Sequence, residues 1–340
     1  MKLTTLPSSK VGLVCLFLCI FHFSNHRRAA ANGIFNLAHG QSYSEIPFQL
    51  LNDIIVVPVL VNGKKQLNFI LDTGTHSPII LNKKFVKGLN IQSSRDIHFQ
   101  GAGNGKLVEG QVISSMSLQI GDAYAHHIGG VLLKRNPLSS LYLEGVKIHG
   151  IIGTSLFRSF AVEIDYLTQM LRLHDSQDFL HEHAYSAHKM ELEFNRPLLH
   201  TRVDFNESSY TLMLMIDTGF NNKMLIYDPK TVNYRPRVFK HIGKGYSGNV
   251  KASEVAINSL KLANRQIFNI NTFFPSRHSY KRETERNHSN RDGIIGNALL
   301  KQFCVVLDYA NEKFYLQEHL LFNPAIARDS KKDKIIMPPQ

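Results

Sequence analysis

The stretch Leu67-Asn68-Phe69-Ile70-Leu71-Asp72-Thr73-Gly74 ends an apolar run on an acidic residue, and Leu212-Met213-Leu214-Met215-Ile216-Asp217-Thr218-Gly219 does so again. An aspartate at the end of a buried strand loses its hydration and is costly unless something uses it. Two of them, one per half of a duplicated chain, can meet across a pseudo-twofold axis and share a proton as a general acid/base pair. The tripeptide alone is a weak signal. Its weight comes from the matching context of the two copies.

The first copy is approached by Pro58 to Leu67, which reads as two apolar strands joined at Asn62-Gly63, the strongest short hairpin signal. The second is approached by Thr201 to Tyr210, again a strand, a polar turn and a strand. Downstream, Gly150-Ile151-Ile152-Gly153 leads into Thr154 to Tyr166, and Gly293-Ile294-Ile295-Gly296 leads into Asn297 to Tyr309, each block closing on Asp-Tyr. The offset between halves is 145 residues at the aspartates (72 to 217) and 143 at the glycine blocks (150 to 293). Agreement across separate blocks marks an internal duplication.

On these motifs the chain resembles the aspartic peptidases of the pepsin and retropepsin group, and within it the retropepsin-like bacterial branch. The resemblance spans roughly residues 52 to 175 and 198 to 318. It implies an all-β fold of two homologous lobes of the acid-protease type, with the active site between them. It also implies that Asp72 and Asp217 activate the water that attacks a scissile carbonyl. Thr73 and Thr218 match the family's cross-braced threonines, Gly74 and Gly219 let the two loops approach, and the Ile-Ile-Gly blocks match the strands beneath each loop. Thr75 follows the first tripeptide and can reach its carboxylate. Phe220 follows the second and cannot. Retropepsin-like lobes also carry a glycine-rich hairpin tip, the flap. Gly101, Ala102 and Gly103 fit this in the first half, Gly243 and Gly245 in the second.

A chain of 340 residues with 43% hydrophobic content allows about two domains, each with its own core. The expected organisation is a signal peptide (1–31), an N-terminal segment (32–51), a first lobe (52–175), a linker (176–197), a second lobe (198–322) and a basic tail (323–340). Residues 32 to 50 would be a prosegment or an ordered first strand. Strand-like alternation dominates, and short helices are expected around Leu299 to Gln302 and Gln317 to Phe322. Lys2 and Lys10 precede the apolar run Val11 to Phe21, and Ala29-Ala30-Ala31 offers small residues for cleavage. This reads as an export signal, cleaved or retained as a membrane tether, and as a secreted or periplasmic location. Cys304 alone would remain in the mature chain, so its stability would rest on the core.

The formal net charge is +12. Its scattered lysines and arginines suit a solvated basic surface, with association to an anionic envelope surface as the functional alternative. Nothing matches a nucleic-acid module. Gly243 to Gly248 spells the dinucleotide fingerprint, but no βαβ unit surrounds it. His181, His183 and His188 lack a metal-ligand pattern, and His76 fits packing or surface better than chemistry. No metal or cofactor is expected. The function implied is an aspartic endopeptidase acting on polypeptides, with one chain sufficient for a complete site. A catalytically inactive peptide-binding or envelope interaction protein on the same fold is the alternative.

Overall fold

The computed structural model describes residues 33–318, apart from 39, 100, 102, 104–106, 136, 137, 139, 177, 178, 180–185, 277, 278 and 280–290. The expected signal peptide, the tail from 323, Ala102, His181 and His183 lie outside the described residues. Two eight-stranded sheets repeat one plan. The first runs, in spatial order, Gln49–Leu51, Ile54–Val61, Lys65–Leu71, Gly150–Ile152, Ile79–Ile80, Ala123–Arg135, Val108–Ile120 and Gln92–Phe99. The second runs Glu191–Glu193, Arg196–Phe205, Ser208–Asp217, Gly293–Gly296, Met224–Ile226, Arg265–Pro275, Gly248–Leu262 and Lys240–Gly245. Position by position these are the same sheet, so the duplication read from spacing is a duplication of fold.

Turn chemistry explains the entry hairpins. Asn62 and Gly63 both sit at positive φ (49° and 63°), and Lys64 N–H donates to Val61 C=O at 3.1 Å. Such a turn carries the right-handed strand twist around the corner. In the second lobe Asn206 and Glu207 take the same conformation at 47° and 62°. Asn62 also secures its surroundings, accepting from Ser117 N–H at 2.7 Å and donating to Leu89 C=O at 2.6 Å. Each hairpin then delivers its second strand, parallel to the buried Gly-Ile-Ile strand, at the position of the aspartate.

A third sheet of six strands joins the lobes, in the order Tyr43–Pro47, Met170–His174, Ala161–Asp165, Phe303–Asp308, Lys313–Glu318 and Ser186–Lys189. Its central pair, Ala161–Asp165 against Phe303–Asp308, is antiparallel with Val162 opposite Leu307 and Asp165 opposite Cys304. All six residues of Phe303–Asp308 are buried, including Cys304. The strand Tyr43–Pro47 shows that the segment before the first lobe is an ordered strand. Three boundaries change. Residues 186–197, read as linker, contain Ser186–Lys189 and Glu191–Glu193, because both find open sheet edges to pair with. Gln317 and Glu318, read as the start of a helix, end a strand whose Phe314, Tyr315 and Leu316 are all buried. The helix expected at Leu299 to Gln302 lies at Asn297–Leu300, matched in the first half by Thr154–Phe157.

Glu163 is a buried carboxylate in the sheet that joins the lobes. Arg172 Nη1 donates to its Oε1 at 2.6 Å, His174 Nε2 lies 2.8 Å from its Oε2, and Arg172 Nε reaches Glu45 at 2.8 Å. Burial pushes the Glu163 carboxyl up, but the bonds from His174 and Arg172 outweigh it and hold it at about 2. A depressed folded-state value means stability that is fully present above the ordinary carboxylate range and lost as pH falls toward 2. Replacing Glu163 with Gln should therefore cost about 2 kcal/mol at neutral pH. In urea unfolding, the gap between the two proteins should close between pH 4.5 and 2.

Candidate active site

The two Asp-Thr-Gly loops meet where the eight-stranded sheets abut, and the threonines lock them together. Thr73 N–H donates to Thr218 Oγ1 at 3.0 Å, and Thr218 N–H donates to Thr73 Oγ1 at 3.1 Å. Each hydroxyl in turn donates to a backbone carbonyl of the other lobe, Thr73 to Ile216 at 2.6 Å and Thr218 to Leu71 at 2.9 Å. All four groups are buried, so these bonds satisfy backbone atoms that water cannot reach. Gly219 lies directly on the opposite carboxyl: a Cβ there would sit 2.5 Å from Asp72 Cγ. The glycine is thus required by contact and not by backbone angle.

Asp72 and Asp217 are 1% and 0% exposed. Their surroundings differ. Asp72 Oδ1 accepts from Gly74 N–H at 2.7 Å and Oδ2 accepts from Thr75 Oγ1 at 2.7 Å. Asp217 Oδ1 accepts from Gly219 N–H at 2.9 Å, while its Oδ2 is buried with no hydrogen-bond partner among the described residues. Phe220, standing where Thr75 stands, is buried in an apolar cluster with Met215, Leu225 and Ile294. Burial raises both carboxyls. For Asp217 the charge of Asp72 adds to this and carries it well above the ordinary value; for Asp72 the bonds from Thr75 and Gly74, and the charge of Arg196, oppose it. The opposing donors thus hold Asp72 below Asp217.

Support from beneath also differs between the halves. Tyr166 Oη donates to Asn297 Oδ1 at 2.7 Å, and Asn297 Nδ2 donates to Thr218 C=O at 2.6 Å, a strut under the second loop. At the equivalent place in the first half the shorter Thr154 turns to His76 C=O at 3.0 Å. Tyr309, the counterpart of Tyr166, keeps a buried hydroxyl without a hydrogen-bond partner among the described residues. Burial, then the charge of Asp72, keeps that phenol protonated.

The glycine-rich tips come together. Gly101 N–H donates to Ser247 Oγ at 3.0 Å, a Cβ at Gly101 would lie 2.5 Å from Tyr246 Cβ, and one at Gly103 would lie 2.7 Å from Gly248 N. Gly243 and Gly245 lie on the strand leading to the Tyr246-Ser247 turn, so the contact falls just beyond the residues singled out by pattern. Tyr246 itself is fully buried, with Phe99 edge-on at 6.4 Å.

Three residues, Arg196, Asn195 and Arg291, carry no signal in the sequence pattern. Arg196, buried on the second lobe, donates from Nε to Gly74 C=O at 3.2 Å, reaching across to the first loop. Its neighbour Asn195 places Nδ2 3.1 Å from His76 Nε2, which gives His76 a structural contact between lobes. Arg291 lies over the Tyr227 ring at 5.4 Å and lowers Asp217 through its charge. Both arginines looked like ordinary surface charge, since no local pattern distinguishes a buried arginine. Among the described residues no group of His, Cys, Asp and Glu is arranged to hold a metal ion.

Residues 57–156 match the family model described as aspartyl protease. That segment contains Asp72, its loop and the glycine-rich tip at Gly101 and Gly103. No curated protein sequence matches the chain. Among solved structures the chain is similar to the aspartic proteinase from Irpex lacteus, with a TM-score of 0.53 and 12% identity over 84% of this chain and 99% of that one. At that identity the likeness speaks for the fold, which is the two-lobed pepsin-like one. The matched segment and the fold together support an aspartic peptidase family.

The threonine lock yields a direct expectation. Thr218→Val keeps the volume but strips the Thr73 N–H and the Leu71 C=O of their partners. Chemical denaturation should register a loss of about 2–3 kcal/mol, twice the usual value for one hydrogen bond. Val at Thr201, whose hydroxyl makes one longer bond to Leu212 C=O at 3.3 Å, should cost less.

Proposed function

We propose that the chain is an aspartic endopeptidase in which Asp72 and Asp217 activate one water between them. The observation that carries this reading is a pair of adjoining carboxyls in unlike environments: Asp72 is held by Thr75 and Gly74, while Asp217 is held by Gly219 and hydrogen-bonds the Asp72 carboxyl. Two carboxyls this close cannot both ionise easily and titrate as a pair. With the proton on Asp217, ionised Asp72 takes a proton from water as its oxygen attacks the peptide carbonyl, and Asp217 donates its proton to the carbonyl oxygen. The tetrahedral intermediate collapses as the proton now on Asp72 passes to the leaving nitrogen and Asp217 takes its own back from the hydroxyl. Both proton transfers are supplied by the two carboxyls. An extended polypeptide between the flaps would add backbone hydrogen bonds as a strand does.

The reading of an inactive binding protein is disfavoured by the retention of both aspartates, both threonines and Gly219 in contact with the opposing carboxyl. Export is the proposed fate of the chain, supported by the basic-apolar-small pattern of residues 1–31. N-terminal sequencing of exported material should begin near Asn32. Purely cytosolic protein starting at Met1 would count against it.

Digestion of a denatured protein across pH tests the mechanism. Activity should follow a bell, with its acid limb set by protonation of Asp72 and its alkaline limb by ionisation of Asp217. Asp72→Asn and Asp217→Asn should each lower turnover by about 10²–10⁴-fold. Arg196 lowers Asp72, so Arg196→Leu should move the acid limb upward and narrow the bell. Full activity in either Asn variant, or inactivation by a chelator, would refute the assignment.

A further inference from the structure

The end of the first lobe remote from the aspartates carries a cluster of lysines. The short helical turn Lys83–Val86, capped by Asn82, puts Lys83 and Lys84 at the surface, and Lys87 follows. Lys65 Nζ donates to Phe85 C=O at 3.1 Å, so the start of strand Lys65–Leu71 abuts this turn. Lys147 Nζ lies 5.1 Å from the Phe85 ring centre and 5.7 Å from that of Tyr142, a ring 52% exposed. Exposed Lys64 occupies the adjoining hairpin turn. Six lysines thus converge around Phe85.

Among the described residues none of the six has a carboxylate partner; the ion pairs made by lysines elsewhere join Lys134 to Asp96, Lys189 to Glu191 and Lys301 to Asp53. Glu144, in the neighbouring turn, is engaged with Asn52 N–H at 2.7 Å. His149 reports the resulting field. Its ring packs on Phe85 at 4.8 Å, and burial, then the charges of Lys147 and Lys65, hold it below its ordinary value. Uncompensated like charges repel one another, and an external anion relieves this.

We propose that this face docks the protein on an anionic lipid surface. Several convergent, exposed ammonium groups beside an exposed amphipathic ring suit a plane of lipid phosphates better than one enclosed anion. Strand Lys65–Leu71 runs from the patch to the residue before Asp72, so about 20 Å separate them at the usual rise per residue. Docking there leaves the flaps and the cleft clear of the surface. The proposal stands whether or not the peptidase reading does.

Co-sedimentation with vesicles tests it, using the chain from Asn32, which contains all three sheets. Vesicles of phosphatidylcholine and phosphatidylglycerol should bind the protein, vesicles of phosphatidylcholine alone should not, and high salt should release it. The triple change Lys83→Gln, Lys84→Gln, Lys87→Gln should weaken binding by about fivefold per lysine, or about 10²-fold together. A control triple of equal charge, Lys230→Gln, Lys261→Gln, Lys313→Gln, should bind nearly as the parent does. Equal losses in the two triples would mean net charge alone is at work and would overturn the proposal. Displacement by inorganic phosphate, at an ionic strength where chloride has no effect, would overturn it in favour of a discrete anion site. Equal binding to uncharged vesicles would do so too.

Discussion

Two carboxyl groups buried against each other are the constraint on which this molecule is organised. Leaving water is costly for one carboxylate and costlier for two of like charge. The protein meets that cost with rigid geometry. Each aspartate ends a strand paired in parallel with a buried Gly-Ile-Ile strand, and the two loops are locked by four hydrogen bonds between Thr73, Thr218 and the backbone of the opposite lobe. Around that lock the two eight-stranded sheets keep their relation, and the six-stranded sheet joins the halves from below with Glu163 neutralised by Arg172 and His174.

Duplication supplies symmetry, and single substitutions break it where the chemistry needs two unlike groups. Thr75 against Phe220 gives one carboxyl a hydroxyl donor and the other an apolar wall. Asn297 against Thr154 gives the second loop a strut to Tyr166 that the first loop lacks. Arg196 crosses from the second lobe to the first loop and lowers Asp72, while Arg291 acts on Asp217. A perfectly symmetric pair could not say which member keeps the proton. Here the environments push the two apart, and the directions agree with the contacts.

The fold was legible because its signals are local and occur twice. Asn62-Gly63 forces its turn, the apolar runs force strands, and the repeat spacing states that whatever one half does the other half does. Thr73, Thr218 and Gly219 were singled out through the family pattern, and in the structure they make the contacts that join the two loops. Other features depend on where a chain segment lands in space. Ser186–Lys189 is polar and histidine-bearing, like a linker, and is a strand only because Lys313–Glu318 offers it an open edge. Gln317 continues a strand for the same reason. Arg196 and Arg291 are buried by the approach of the other lobe and of Tyr227, which no sequence window contains.

The two glycine-rich tips meet each other, and on the proposed peptidase reading this contact bears on how a substrate enters. Gly101 and Gly103 touch Tyr246, Ser247 and Gly248 so closely that a side chain on either glycine would collide, and both aspartates are almost wholly covered. On that peptidase reading, a polypeptide held between these tips would have to part them. The contacts that join them include one backbone N–H to Ser247 and the packing of Phe99 against Tyr246. The threonine lock, by contrast, is four bonds deep in the interior. On the proposed peptidase reading, a bound strand would replace the hydrogen bonds that the tips give up on parting and so offset the cost of opening.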